Sequence, residues 1–244
     1  MKQNIKLGVV SYLNAKPLLY GLKNTTIANE IVITEDYPSN IAHQLLRNTI
    51  DIGLVPVAVI PNLQEYYIIS NYCIGCDGEV ASVCLFSEVP IKQIEKVLLD
   101  YQSHTSVRLV QILLKEYWKI DVVFEQASIN FREEIIGTTA AVVIGDRAFE
   151  QRHTSLYCYD LGLVWKQHTG LPFVFAVWVA NKPLNTDFTT RFSIANQIGL
   201  DNIEMIIQQA HTPYYDLKKY FTQNIRYHLN TDLKRGLACF LSKA

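Results

Sequence analysis

Cys73 and Cys76 form a C-x-x-C pair, the spacing of zinc knuckles and of thiol–disulfide centres. A structural zinc ion takes four ligands, and no second C-x-x-C or C-x-x-H lies downstream. A redox pair needs a helix N-terminus to lower a thiol pKa. Here Asp77-Gly78 follows as a turn signal and the next residues read as a strand, so the pair reads as unreactive thiols. The six histidines contain no H-x-x-x-H pair, and His43, His104 and His168 are candidate bases by chemistry alone. Glu133 and Glu134 are adjacent, so on a helix they point about 100° apart and form no carboxylate dyad. Glycine-rich phosphate loops and a G-x-S-x-G elbow are absent. The polar residues that remain are amides, hydroxyls and one acid placed at element junctions. They are Asn14 in SYLNAKPL, Ser82 in DGEVASVCLFS, Thr105 and Ser106 in LDYQSHTSVRL, and Gly145 and Asp146 in IGDRA. Such groups bind a small polar or anionic ligand, with no cofactor and no metal expected.

Each has a plainer reading. Asn14 could cap a helix, and Ser82 could bond a neighbouring strand. Thr105 and Ser106 could cap the helix they open while also offering its N-terminus to a carboxylate. Asp146 could reach a ligand or cap a helix beginning at Arg147, and Gly145 could admit close backbone approach.

The elements that must position these residues follow from periodicity. Apolar runs at 5–10, 30–35, 51–57, 66–75 and 79–87 read as strands, with a helix near 15–21 and an amphipathic one over 38–48. A second series has strands at 96–100, 122–126 and 140–145, with a helix opening at Thr105-Ser106. A long apolar strand at 172–180 leads into a mostly helical tail, whose last helix begins after Thr231. This alternation predicts an α/β fold with largely parallel sheets. Two long strands near 80–90 and 172–182 suggest two crossings between lobes. The expected division is residues 1–87 with 182–244 in a discontinuous first lobe, and 88–181 in the second. That organisation is a two-lobed, periplasmic-binding-protein-like (type II) fold with its ligand cleft between the lobes.

Lys plus Arg number 22 against 23 Asp plus Glu, a near balance without the electrostatic footprint of a nucleic-acid or membrane binder. No apolar run approaches the length of a membrane span. Pro17 and Lys16 interrupt the N-terminal apolar residues, so no secretory h-region is expected and the protein is expected to be cytoplasmic. An odd number of cysteines, five, is expected to stay as free thiols there.

SYLNAKPL, DGEVASVCLFS, LDYQSHTSVRL and GLPFVFAVW, together with DIGLVPV and IGDRA, resemble the chorismate dehydratases of the futalosine route to menaquinone. The resemblance spans about residues 5–240 and implies the same two-lobed fold. It implies a hydro-lyase that removes water from chorismate to give 3-[(1-carboxyvinyl)oxy]benzoate. It also implies catalytic roles for Asn14 and Ser82, with Thr105, Ser106, Gly145 and Asp146 binding substrate. The substrate's own carboxylate is the favoured proton acceptor. The C-x-x-C departs from the family pattern, which carries small or polar residues there. The competing readings are a non-catalytic intracellular small-carboxylate binding protein of the same fold, and the sibling enzyme that makes 1,4-dihydroxy-6-naphthoate. The sibling's hallmark is an early histidine-containing loop, whereas this chain has no histidine before His43.

Overall fold

The computed structural model describes residues 4–244. Aliphatic runs form β1 (Ile5–Val10), β2 (Ile31–Asp36), β3 (Ile52–Pro56), β4 (Tyr67–Cys76) and β5 (Val83–Ser87). After them come β6 (Lys96–Leu99), β7 (Val123–Gln126), β8 (Thr139–Ile144), β9 (Tyr157–Asp160), β10 (Phe173–Ala180) and β11 (Arg226–His228). The helices are α1 (Lys16–Lys23), α2 (Pro38–Leu46), α3 (His104–Leu113), α4 (Arg147–Gln151), α5 (Leu161–Thr169), α6 (Thr186–Asp201), α7 (Ile203–Gln209), the single turn α8 (Leu217–Lys219) and α9 (Thr231–Leu241). Among the described residues the strands build a six-stranded sheet, β11-β4-β10-β3-β1-β2, and a five-stranded one, β7-β6-β8-β5-β9.

Both sheets are mixed rather than largely parallel. β1 runs parallel to β2 and β3, and β6 runs parallel to β7 and β8. β5 is antiparallel to β8 and β9, and β10 is antiparallel to β3 and β4. β5 and β10 are the strands that arrive from the other sheet, and β11 also pairs antiparallel with β4. A parallel neighbour needs a crossover connection, usually a helix, whereas a strand arriving from the other lobe can join antiparallel without one. The sheet membership of β5 and β10 differs from that of most strands in the spans they fall in. β5 belongs to the second sheet although it falls within 1–87, and β10 belongs to the first although it falls within 88–181. The chain leaves the first sheet after Cys76 and re-enters it at Phe173.

All eight residues of β10 are buried, which explains its unbroken apolar run. α1 and α6 touch backbone to backbone. A Cβ at Gly199 would lie 1.8 Å from the Pro17 carbonyl oxygen, so only glycine fits. The parallel strands of both sheets end toward the space between the lobes, and the loops that follow β1, β3, β6 and β8 meet there. Ligands of open α/β sheets bind beyond the carboxyl ends of such strands.

One buried acid sets the first crossing. Asp160 caps α5, its Oδ1 accepting from the backbone N–H groups of Gly162 and Leu163 at 3.1 Å each. The same carboxylate accepts from Val80 N at 3.1 Å and Ala81 N at 2.7 Å, and Arg152 Nη2 donates to it at 3.0 Å. Arg152 Nε also donates to the Ala81 carbonyl at 2.9 Å. Residues 79–82 are therefore a tied loop, not the start of the expected strand, and Ala81 has a left-handed φ of 64°. Asp160→Asn sets amide hydrogens against backbone N–H donors and leaves Arg152 without its anion. We expect a loss of about 3–5 kcal/mol of stability, read from chemical denaturation midpoints.

Candidate active site

Between the lobes lies a narrow cavity of about 50 Å³, room in this conformation for a few waters. Its walls come from both lobes. Val10, Tyr12, Asn14, Pro56 and Phe175 face Val80, Val83, Ser103, Ser106 and Gly145. Larger grooves of about 470 Å³ and 610 Å³ lie on outer faces and include none of the candidate residues.

Three of the six sequence candidates line the cavity. Asn14 sits in a single 3-10 turn, Leu13–Ala15, just after β1, and its Oδ1 is buried without a hydrogen-bond partner. A buried polar atom left unpaired costs about 1–3 kcal/mol, so this oxygen is the group most in need of a ligand donor. Ser106 Oγ bonds Ser103 Oγ at 3.0 Å. Gly145 has φ 68°, and a Cβ there would stand 2.6 Å from the Tyr12 ring. The close approach expected at this glycine is therefore to a tyrosine of the opposite lobe.

The other three lie just behind the wall. Ser82 is fully buried, and Tyr220 Oη donates to its Oγ at 2.8 Å. Thr105 is fully buried, its Oγ1 accepting from Ala58 N at 3.1 Å across the lobes. Asp146 does not cap α4. Its carboxylate accepts from Leu13 N at 3.1 and 3.3 Å, closing the start of the Asn14 turn from the opposite lobe. Burial raises its pKa against the opposing pull of that N–H and of Lys16 and Arg147. A protein carboxylate thus takes up the N–H at the start of this turn. The α3 end differs by one register step as well. Its cap is Ser103, whose Oγ accepts from Ser106 N at 3.1 Å, and the helix begins at His104.

Sequence reasoning passed over Tyr12 and Ser103, both in the wall. Ser103 carried a signal, being a serine directly before a helical pattern. Tyr12 carried none, because its role rests on Gln102, 90 residues away, to whose Oε1 its hydroxyl donates. Arg147 Nη2 donates to the same Oε1 at 2.6 Å and to buried Asp100 at 2.7 Å. Ser39 N donates to the Gln102 carbonyl at 3.1 Å. Cys73 and Cys76 are buried in β4, three residues apart and so on opposite faces of the strand. Burial raises both thiol pKa values.

None of the candidate bases His43, His104 and His168 lines the cavity. His168 pairs with Glu116 at 3.2 Å on the second lobe. His43 and His104 meet across the lobes with ring centroids 5.8 Å apart. Burial, and secondly His43, lower the His104 pKa below 6.5. A depressed folded-state pKa contributes stability that is complete above the unfolded value and lost as pH falls through the folded one. Between about pH 7 and pH 5 the melting temperature should therefore drop less in His104→Gln than in the wild type.

The chain is similar to known proteins along nearly its whole length. Residues 5–244 match the model of a family described as menaquinone biosynthesis. A chorismate dehydratase from Thermus thermophilus is 25% identical over 96% of this chain and 93% of its own length. A crystal structure from Archaeoglobus fulgidus superposes with a TM-score of 0.77 at 12% identity, covering 99% of this chain and 96% of that one. A Candida albicans protein described as having the generic periplasmic binding protein fold gives 0.65 at 11% identity, covering 97% and 90%. The fold is the two-lobed, periplasmic-binding-protein-like one, and the chain belongs to the menaquinone biosynthesis family.

Proposed function

We propose that the protein is a chorismate dehydratase, a hydro-lyase that converts chorismate to 3-[(1-carboxyvinyl)oxy]benzoate and water in the cytoplasm. The observation that carries this reading is the unpartnered Oδ1 of Asn14, buried in the interlobe cavity of a chain matched to a chorismate dehydratase over nearly its whole length. Chorismate carries two carboxylates, an allylic hydroxyl and a ring proton whose loss leads to an aromatic product. The asparagine carbonyl oxygen accepts the hydrogen of that hydroxyl and orients it for departure. A neutral donor, the Ser106 hydroxyl at the start of α3, whose oxygen accepts from Ser103 Oγ, lies opposite and suits a carboxylate. Donors fixed in place before reaction stabilise developing charge without reorganising.

The elimination removes one ring proton and expels the hydroxyl as water, and the electron pair left behind completes the aromatic ring. Tyr12 is the one titratable side chain in the cavity wall among the described residues, and burial raises its pKa, so the phenol stays protonated. A carboxylate of the substrate therefore takes the ring proton and returns it to the departing hydroxyl, which leaves as water, and the protein supplies position. Substrate of this size enters when the lobes part, because the closed cavity is far smaller.

Purified protein mixed with chorismate should lose the cyclohexadiene absorbance while the product appears by chromatography. Chorismate that persists at saturating enzyme ends the dehydratase reading, and a raised melting temperature without turnover would make the protein a small-carboxylate binder. Asn14→Ala and Ser82→Ala should each lower kcat by about 100-fold or more while remaining folded. Asp146→Asn and His104→Gln should each cost less than about 10-fold. A loss of several orders of magnitude in either would identify a protein base.

A further inference from the structure

The C-terminal segment returns to the site by three contacts that join residues more than 130 positions apart. Tyr220 Oη donates to Ser82 Oγ at 2.8 Å, Asn224 Nδ2 to the Glu79 carbonyl at 3.1 Å, and Tyr227 Oη to the Asn14 carbonyl at 2.9 Å. Tyr220 opens a π-helical turn, Tyr220–Asn224, a distortion often found at functional sites. It is fully buried, and its ring packs edge-on against Phe149 at 4.9 Å. Against burial and nearby Asp146, which raise the Tyr220 pKa, Asn14 also stands close enough to pull it down.

We infer that Tyr220 is a positioning residue that sets the hydrogen-bond polarity of both Asn14 and Ser82. The inference rests on the dehydratase reading above. A phenol has one hydrogen and two lone pairs. Its hydrogen goes to Ser82 Oγ, so an Asn14 amide that meets the phenol oxygen does so as a donor, through Nδ2. That choice turns Oδ1 away from the tyrosine, in keeping with its lack of a protein partner. Ser82 Oγ, having accepted the phenol hydrogen, keeps its own hydrogen to donate elsewhere. One buried hydroxyl thus presents Asn14 as an acceptor and Ser82 as a donor. This suits a hydroxyl that must be held by its hydrogen while charge on the departing oxygen is met by a donor. Without the phenol oxygen the amide can flip and the serine hydrogen can turn away. The ring and its packing would be unchanged.

Tyr220→Phe removes this oxygen alone, and the test compares it in two backgrounds with chorismate as substrate, rates being taken per folded molecule. In the wild-type background kcat should fall by about 10-fold or more with KM within about 3-fold. In a Ser82→Ala background the same change should cost less than about 3-fold, because half of what the phenol orders is already gone. A Tyr220→Phe enzyme within about 2-fold of wild-type kcat, or an equal loss in both backgrounds, overturns the inference. Either result would leave the dehydratase reading standing as long as wild-type protein consumes chorismate. If wild-type protein fails to consume it, both fall together.

Discussion

The architecture of the site depends on how a buried carboxylate is satisfied at the first crossing between the lobes. Taking Asp160 out of water carries a desolvation cost of several kcal/mol. Four backbone N–H groups and the Arg152 guanidinium offset it. Two of those donors belong to α5 and two to the 79–82 loop, so the acid pins a helix start to the crossing itself. The loop then accepts a left-handed Ala81, a conformation that costs about 1–3 kcal/mol and persists only where surroundings impose it. The bend turns Ser82 toward Tyr220 instead of along β5.

A second constraint acts across the cleft. Polar contacts join the lobes across it: Leu13 N on Asp146, Ala58 N on Thr105, Ser39 N on Gln102, and the Tyr12 hydroxyl on the Gln102 side chain. Each of these polar groups can bond water instead when it loses its partner across the cleft. The contacts also explain why residues chosen as ligand binders serve another purpose in the closed form. Thr105 and Asp146 place the lobes, and the wall they define is completed by Asn14, Ser106 and Gly145.

What was legible in the sequence was local. The turn after β1 announces Asn14 because a polar residue and Pro17 interrupt an apolar strand and open a helix. The capped last helix was also legible: Asn230 accepts from Leu233 N just before Thr231. Periodicity placed most strands, but it could not show that β5 and β10 change sheets, since an apolar run looks the same in either. Ser82 was chosen for a partly mistaken reason, as a polar residue on a strand that in fact begins one position later. Asp146 shows the limit most clearly. Its local neighbours suggest a cap for α4, yet its partner is Leu13, 133 residues earlier. A partner at that distance leaves no trace in spacing or composition.

The same limit explains how a chemically sparse wall can hold two polar groups in fixed orientations. Asparagine and serine each have rotational alternatives that would present the wrong atom to a ligand, and a solvated site would let them exchange freely. Here the choice is made from behind, by a phenol that the C-terminal turn buries at full depth against Phe149 and Tyr215. Burial raises the phenol pKa, which keeps its single hydrogen in place, and a protonated phenol donates to one partner at a time. An apolar setting around neutral groups therefore achieves what a charged cluster would do at higher desolvation cost. That accounts for a site whose wall contains no lysine, arginine or carboxylate side chain among the described residues.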